Sequence, residues 1–366
     1  MLTTNKTSAQ VQELLDGLVA SGQEVGLQAA AYLDGELVLD TWAGTADEQS
    51  GRPVDGDTLF VVFSATKGVT ATSIHMLAER GRLDYEAPVA RYWPEFGEHG
   101  KDRVTLRQAL SHQAGIPQMP EGWGPERMCD WDATVAAIAD LTPLWEPGTR
   151  TQYHGQTFGW ILGEVLRRVD GRDVRRFVYD EIAGPLGATD LHVGTTPELL
   201  PRVARLRNAP GGGTNADQWN RDDLRQAIVP AAGGQFNARS LARMYAALAN
   251  GGALNDVRLL SPERIDQARV PQTKPEHAAE IGMSFGLGYR LGSPVYGEHA
   301  ILRAMGRDPR VFGHTGAGGA IGFADPERRF SFALAKNLLH PGVVEGRVST
   351  TRTIVETVRR ALGVAN

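Results

Sequence analysis

Apolar residues recur along this chain at two spacings, and the two spacings segregate. Residues 10–19 carry them at helical spacing and stop at Gly22. Residues 25–33 and 36–42 then read as two strands around Asp34-Gly35, a hairpin signal. Leu59-Phe60-Val61-Val62-Phe63 is a further extended run. From about residue 64 to residue 274 the spacing is mainly helical. It is clearest over 70–80, 105–111, 131–141, 159–169, 174–182 and 240–249, the last closed by Asn250-Gly251-Gly252. Strand character returns over 285–291, 310–312, 320–324 and 330–336, with Asp325-Pro326-Glu327 as a turn, before a closing helix over 349–362.

This distribution predicts an α+β fold in which early and late strands share one antiparallel sheet. Terminal helices cover one face, and a mostly helical region lies beside it. The sheet region takes residues 1–63 and 275–366, the helical region 64–274, and the two pack intimately as one unit. A ligand site is expected at their seam, near residue 64.

Composition narrows the function. The 366 residues are 42% hydrophobic and 22% charged, as in an ordinary globular protein. A net charge of −5 with no basic block argues against a nucleic-acid partner. No apolar run is long enough to span a membrane, and the polar start Met1-Leu2-Thr3-Thr4-Asn5-Lys6 lacks a signal-peptide core, so a cytoplasmic protein is expected. Cys129, the single cysteine, is expected to be a buried small hydrophobe. The histidines show no zinc-binding spacing, so neither a metal nor a cofactor is expected. His112, His192 and His340 read as ordinary helix or loop residues. Gly211-Gly212-Gly213 reads as a surface loop, because the lysine and hydroxyl residue of a phosphate loop do not follow it.

One short segment carries chemistry. Ser64-Ala65-Thr66-Lys67 sets a hydroxyl and an amine at i and i+3, on one face of a starting helix. A helix N-terminus and burial both ease loss of the lysine proton, and a neutral lysine can activate a serine. By itself the tetrapeptide reads as a capping serine and a solvated lysine, so the case depends on what else the chain supplies. Tyr153, before His154-Gly155 and after the turn-rich 145–150, is a candidate proton shuttle, or else a tyrosine packed at a loop edge. The small residues from Phe312 to Gly319 suit a backbone that approaches a substrate closely, and suit a tight hairpin equally well.

Together, these stretches resemble the serine β-lactamase and penicillin-binding-protein superfamily. Its Ser-x-x-Lys, Tyr-x-Asn and Lys/His-Thr-Gly motifs are matched in order by Ser64-Ala65-Thr66-Lys67, Tyr153-His154-Gly155 and His314-Thr315-Gly316. The segments 104–116, 146–149, 230–234 and 286–289 also look familiar, and the resemblance covers about residues 10 to 360. It implies a β-lactamase-like fold with Ser64 as nucleophile and Lys67 and Tyr153 as proton-transfer groups. The Ser64 and Ala317 N–H groups would form the oxyanion hole. His314, Thr315, Gly316, Gly155 and His154 would line the substrate site.

Two departures select a branch. Gly155 stands where lactamases usually carry asparagine, and His314 where they usually carry lysine. Both weaken recognition of an anionic acylamino substrate and suit a neutral ester. The chain therefore resembles the family VIII carboxylesterases most, which implies hydrolysis of a small-molecule ester of short-to-medium acyl length. Acyl transfer to a metabolite, residual β-lactamase or D-amino-peptidase activity, and a catalytically dead binding module remain alternatives. Trp123, Trp145 and Trp219 can line an acyl pocket or serve simple packing. Gly282-Met283-Ser284-Phe285-Gly286 fits a nucleophile elbow, but that motif needs a strand before it and a helix after it, and a strand follows. Ser284 is therefore rejected.

Overall fold

Both ends of the chain build one antiparallel sheet in the computed structural model, which describes residues 2–211, 216–294, 300–340 and 349–364. Helix α1 (Leu2–Ala20) leads into β1 (Gly26–Leu33), β2 (Glu36–Asp47), β3 (Arg52–Pro53) and β4 (Phe60–Val61). The middle of the chain carries α2 (Thr66–Glu79), α3 (Leu106–Leu110), α4 (Thr157–Asp170), β5 (Leu191–Val193), β6 (Gly234–Phe236) and α5 (Ala238–Ala249). Strands β7 (Arg290–Leu291), β8 (Phe312–Thr315), β9 (Ile321–Asp325) and β10 (Phe330–Lys336) precede the last helix, α6 (Thr350–Ala361). The sheet order is β7-β8-β9-β10-β1-β2-β3. The first and last long strands meet at its centre, with Leu27 opposite Lys336 and Leu33 opposite Phe330.

These central strands are buried on both faces, which is why they read as nearly unbroken apolar runs. Leu27, Ala29, Ala31, Phe330, Phe332 and Leu334 face one way and pack with Val11, Leu15, Ile354 and Val358 of the terminal helices. Ala30, Tyr32, Ala333 and Ala335 face the other way. That second face is covered by α5, so the sheet is enclosed by helices on both sides. Small residues allow the approach. A Cβ on Gly322 would lie within 2.7–2.9 Å of the Tyr245 and Leu241 side chains. Asn237 caps α5 by accepting from the Ser240 N–H, and Gly251 and Gly252, at φ 70° and 84°, end it.

Strands β4, β6 and β5, in that order, form a small separate sheet that ties the chain before residue 64 into the helical region. Other differences are local. The strand expected over 285–291 is mostly a tight loop: Phe285 bridges back to Arg290, and only Arg290–Leu291 joins the sheet. Gly288, at φ 79°, is pressed so close to Ala71 that a Cβ would lie 2.5 Å from the alanine methyl. Cys129 is exposed, not buried, because the short helix Pro125–Met128 ends there and turns it outward. Gly212 and Gly213 lie outside the described residues. No helix among the described residues is long and apolar enough to cross a membrane.

Candidate active site

The chain leaves β4 through a sharp turn. Val62 N–H donates to the Gly234 carbonyl at 2.9 Å, and Phe63 then takes a left-handed φ of 48°. A phenylalanine held there costs about 1–3 kcal/mol, and its surroundings over-determine it. Its ring packs edge-on against Trp219, with centroids 5.1 Å apart. Thr66 Oγ1 donates to the Phe63 carbonyl at 2.6 Å and accepts from Gly234 N–H at 2.9 Å. A single 3-10 turn, Phe63–Ala65, runs straight into α2 and places Ser64 one turn from Lys67.

Lys67 is fully buried and its Nζ makes three contacts: 2.7 Å to the Gly155 carbonyl, 3.0 Å to the Ala231 carbonyl and 3.1 Å to Ser64 Oγ. No carboxylate pairs with it among the described residues. Burial pushes the amine below its ordinary pKa; Tyr153 opposes that shift, and Arg290 adds to it. In the neutral form, two N–H bonds satisfy the two carbonyls and the lone pair faces the serine hydroxyl.

Tyr153 reaches this point on a loop that the family-like segments hold down. Thr105 and Gln108 form a reciprocal capping box at α3. Gly148, at φ 86°, lies so close to Gln108 that a Cβ would sit 2.4 Å from its Nε2, and Gly148 N–H donates to the Gln113 carbonyl. His112 O accepts from Gln152 N–H, and His112 Nδ1 accepts from His154 N–H at 3.2 Å. The Tyr153 hydroxyl is buried and lies against Lys67 and Ser64. Burial raises its pKa, but the charges of Lys67 and Arg290 outweigh burial and hold it below the ordinary phenol value. Lys67 Nζ lies 5.0 Å from the Tyr153 ring centroid.

The third wall is the β8–β9 hairpin. A Cβ on Gly316 would lie 2.0 Å from the Val62 carbonyl, so the hairpin presses on the strand that delivers Ser64. Gly316 N–H donates to Ala320 O at 2.7 Å, and Gly318 and Gly319 turn the chain at φ 76° and 113°. Ala317 is exposed at the tip, and its N–H donates to no carbonyl among the described residues. His314 is fully buried, with Nδ1 donating to the Thr315 carbonyl at 2.7 Å. Burial, reinforced by Arg290 and Lys67, keeps its pKa well below the ordinary histidine value, so the ring is neutral near pH 7. A Cβ on Gly155 would meet nothing within 4 Å, leaving open space beside Tyr153.

The sequence model of the Beta-lactamase family matches residues 11–353. The chain belongs to that family. Among curated relatives, the esterase/beta-lactamase LipL of Mycobacterium tuberculosis is 38% identical over 346 residues, covering 86% of this chain and 78% of its own. Esterase EstB of Burkholderia gladioli is 27% identical, with 92% of each chain covered. Among solved structures, a family VIII carboxylesterase superposes with a TM-score of 0.87 at 34% identity, covering 97% of each chain.

Within this β-lactamase fold, two residues matter more than their sequence context implied. His112, read as an ordinary residue, packs beside Tyr153, Phe158 and Phe285 with centroids 4.4–4.9 Å away. No sequence motif marks Arg290. Its guanidinium donates to Thr315 Oγ1 at 2.5 Å and lies 5.0 Å from the Tyr153 ring centroid. An arginine inside an otherwise apolar strand pattern was the available signal. His154, by contrast, spends both ring nitrogens on the loop: Nδ1 donates to Gln152 O at 2.6 Å and Nε2 accepts from Ile116 N–H at 3.1 Å. It is a brace for that loop and leaves no ring nitrogen for a substrate. Of the three tryptophans, only Trp219 packs against the residue before Ser64; Trp123 donates to Thr134, and Trp145 packs on His154. Ser284 follows a helix (Pro275–Ile281) and precedes the Phe285–Arg290 bridge, so no nucleophile elbow forms. Two clefts of about 360 and 440 Å³ in the helical region contain none of the residues gathered around Ser64.

Proposed function

We propose that the protein is a carboxylesterase that acts through an acyl-enzyme on Ser64. The observation that carries this reading is the Lys67 amine, buried with no carboxylate partner among the described residues and held by two carbonyls against Ser64 Oγ. Ser64 Oγ attacks the ester carbonyl carbon, and its proton passes to the Lys67–Tyr153 pair. The N–H groups of Ser64 and Ala317 receive the developing oxyanion, a contribution of about 10²–10³ in rate per donor. Tyr153 returns the proton to the leaving alcohol as the C–O bond breaks. Water then attacks the acyl carbon, gives its proton to the same pair, and Ser64 recovers a proton as the acid departs.

Neutral esters of short-to-medium acyl length suit this site better than anionic acylamino substrates. Gly155 offers no amide side chain, and His314 is neutral. The similarity to an esterase and to a family VIII carboxylesterase supports ester cleavage, while a third relative is named esterase/beta-lactamase. A p-nitrophenyl ester series from acetate to longer acyl chains, assayed beside nitrocefin, tests it. The expected result is ester turnover well above nitrocefin turnover; the reverse ranking would make the protein primarily a β-lactamase.

A further inference from the structure

Arg290 is the only guanidinium or ammonium group besides Lys67 described in contact with the Tyr153 ring, and no carboxylate among the described residues neutralises its charge. Its side chain is buried, with 8% of the residue exposed, and among the described residues no carboxylate lies within ion-pair distance. One nitrogen is spent on Thr315 Oγ1, and the buried Nε has no hydrogen-bond partner among the described residues. A buried arginine normally has a carboxylate, because an unpaired buried charge costs several kcal/mol. Here the compensation is the face of Tyr153 at 5.0 Å and of Phe285 at 6.0 Å. The strand β7 carries it there by pairing Arg290 with Gly313, one residue before His314.

We propose that Arg290 is a positioning residue that keeps the Lys67–Tyr153 pair one proton short at neutral pH, ready to accept the Ser64 proton. The other titratable groups around the phenol do not supply that charge. His112 and His314 are buried and neutral, and so is His154, whose pKa is pushed down to about 4. Arg290 therefore stands in for the permanent cation that a lysine at position 314 would provide. It lowers the proton affinity of both members of the pair, Lys67 and Tyr153 alike.

This inference rests on the proposed role of Tyr153 and Lys67 in proton transfer. The test is the pH profile of kcat/KM for p-nitrophenyl butyrate in wild type, Arg290→Gln, Arg290→Met, Arg290→Lys and Tyr153→Phe. Arg290→Gln keeps a donor for Thr315 but loses the charge. Its acidic limb is expected to move up by about one pH unit, an activity loss of about tenfold on that limb that recovers at alkaline pH. Arg290→Met serves as a second neutral variant with the same expected shift, and Arg290→Lys should retain most of the wild-type profile. An unshifted limb in a folded neutral variant, or a loss uniform across pH, overturns the role of Arg290. Wild-type kcat/KM in Tyr153→Phe instead overturns the proton-transfer reading beneath it.

Discussion

Lys67 donates to the backbone carbonyl of Gly155 at 2.7 Å, so the residue that lacks a side chain for the substrate still serves the base. The same contact explains how three distant segments meet. Lys67 joins α2 to the Tyr153 loop, and through Ala231 to the segment that precedes β6. Replacing it tests whether the site needs a base or merely a cation. Lys67→Met is expected to lower kcat by about 10²–10⁴-fold, the usual worth of general base catalysis. Lys67→Arg should lose a similar amount, because a guanidinium cannot give up its proton. Activity of Lys67→Arg near wild type would assign Lys67 a purely electrostatic role.

Gly155→Asn probes what the open space beside Tyr153 decides. The Cβ has room and the backbone is not left-handed, so stability should stay within about 0.5 kcal/mol of wild type by urea denaturation. The new amide is expected to reduce ester kcat/KM and to raise the ratio of nitrocefin to ester turnover. An unchanged ratio would mean that this position does not set the preference.

Acid should unfold the protein through its buried neutral imidazoles. His154 is pushed down to about 4 and His75 to about 3, both first of all by burial. In each case the folded state binds a proton less readily than the unfolded chain. Stability is therefore full above the unfolded value of 6.5 and falls as pH drops from there towards the folded value. For His154 alone the linkage amounts to about 3 kcal/mol. Chemical denaturation at pH 7, 6, 5 and 4 should show a steep decline. His154→Gln, which keeps an acceptor for Ile116 N–H, should flatten it.

Lys336, at the end of β10, is buried in an ion pair with Glu24, which also accepts from Thr350 at the start of α6. Burial works against the Glu24 carboxylate, but Lys336 and its hydrogen-bond partners hold its pKa below the ordinary value. Lys336→Met leaves that carboxylate buried without its cation and should cost about 3–5 kcal/mol, measured as a lower denaturation midpoint. The loss should reach the active site as well. Thr351, beside Thr350, donates to Gly319 O in the turn that carries Ala317.

Much of this site was legible in the sequence, and what was not has a common cause. Ser64, Lys67, Tyr153 and the His314-Thr315-Gly316 stretch stand out because their residue types and spacings carry chemistry, and the structure brings Ser64, Lys67, Tyr153 and His314 together. The α+β class and the antiparallel sheet of early and late strands also follow from the two apolar periods. Periodicity reveals helix α5 but not that its apolar stripe covers the sheet. Arg290 has no such signature, because its meaning lies in its setting against Thr315, Tyr153 and Phe285, a property of tertiary structure alone. His112 and His154 exchanged importance for a related reason. Which face of a loop a histidine presents is decided by the hydrogen bonds of its neighbours.

Covalent trapping tests the central claim most directly. Incubation with a fluorophosphonate followed by peptide mass mapping should place a single adduct on Ser64. Ser64→Ala should lose both the adduct and ester turnover, while Ser284→Ala keeps most of both. An adduct on another serine, or full ester turnover in Ser64→Ala, would contradict the assignment of Ser64 as the nucleophile.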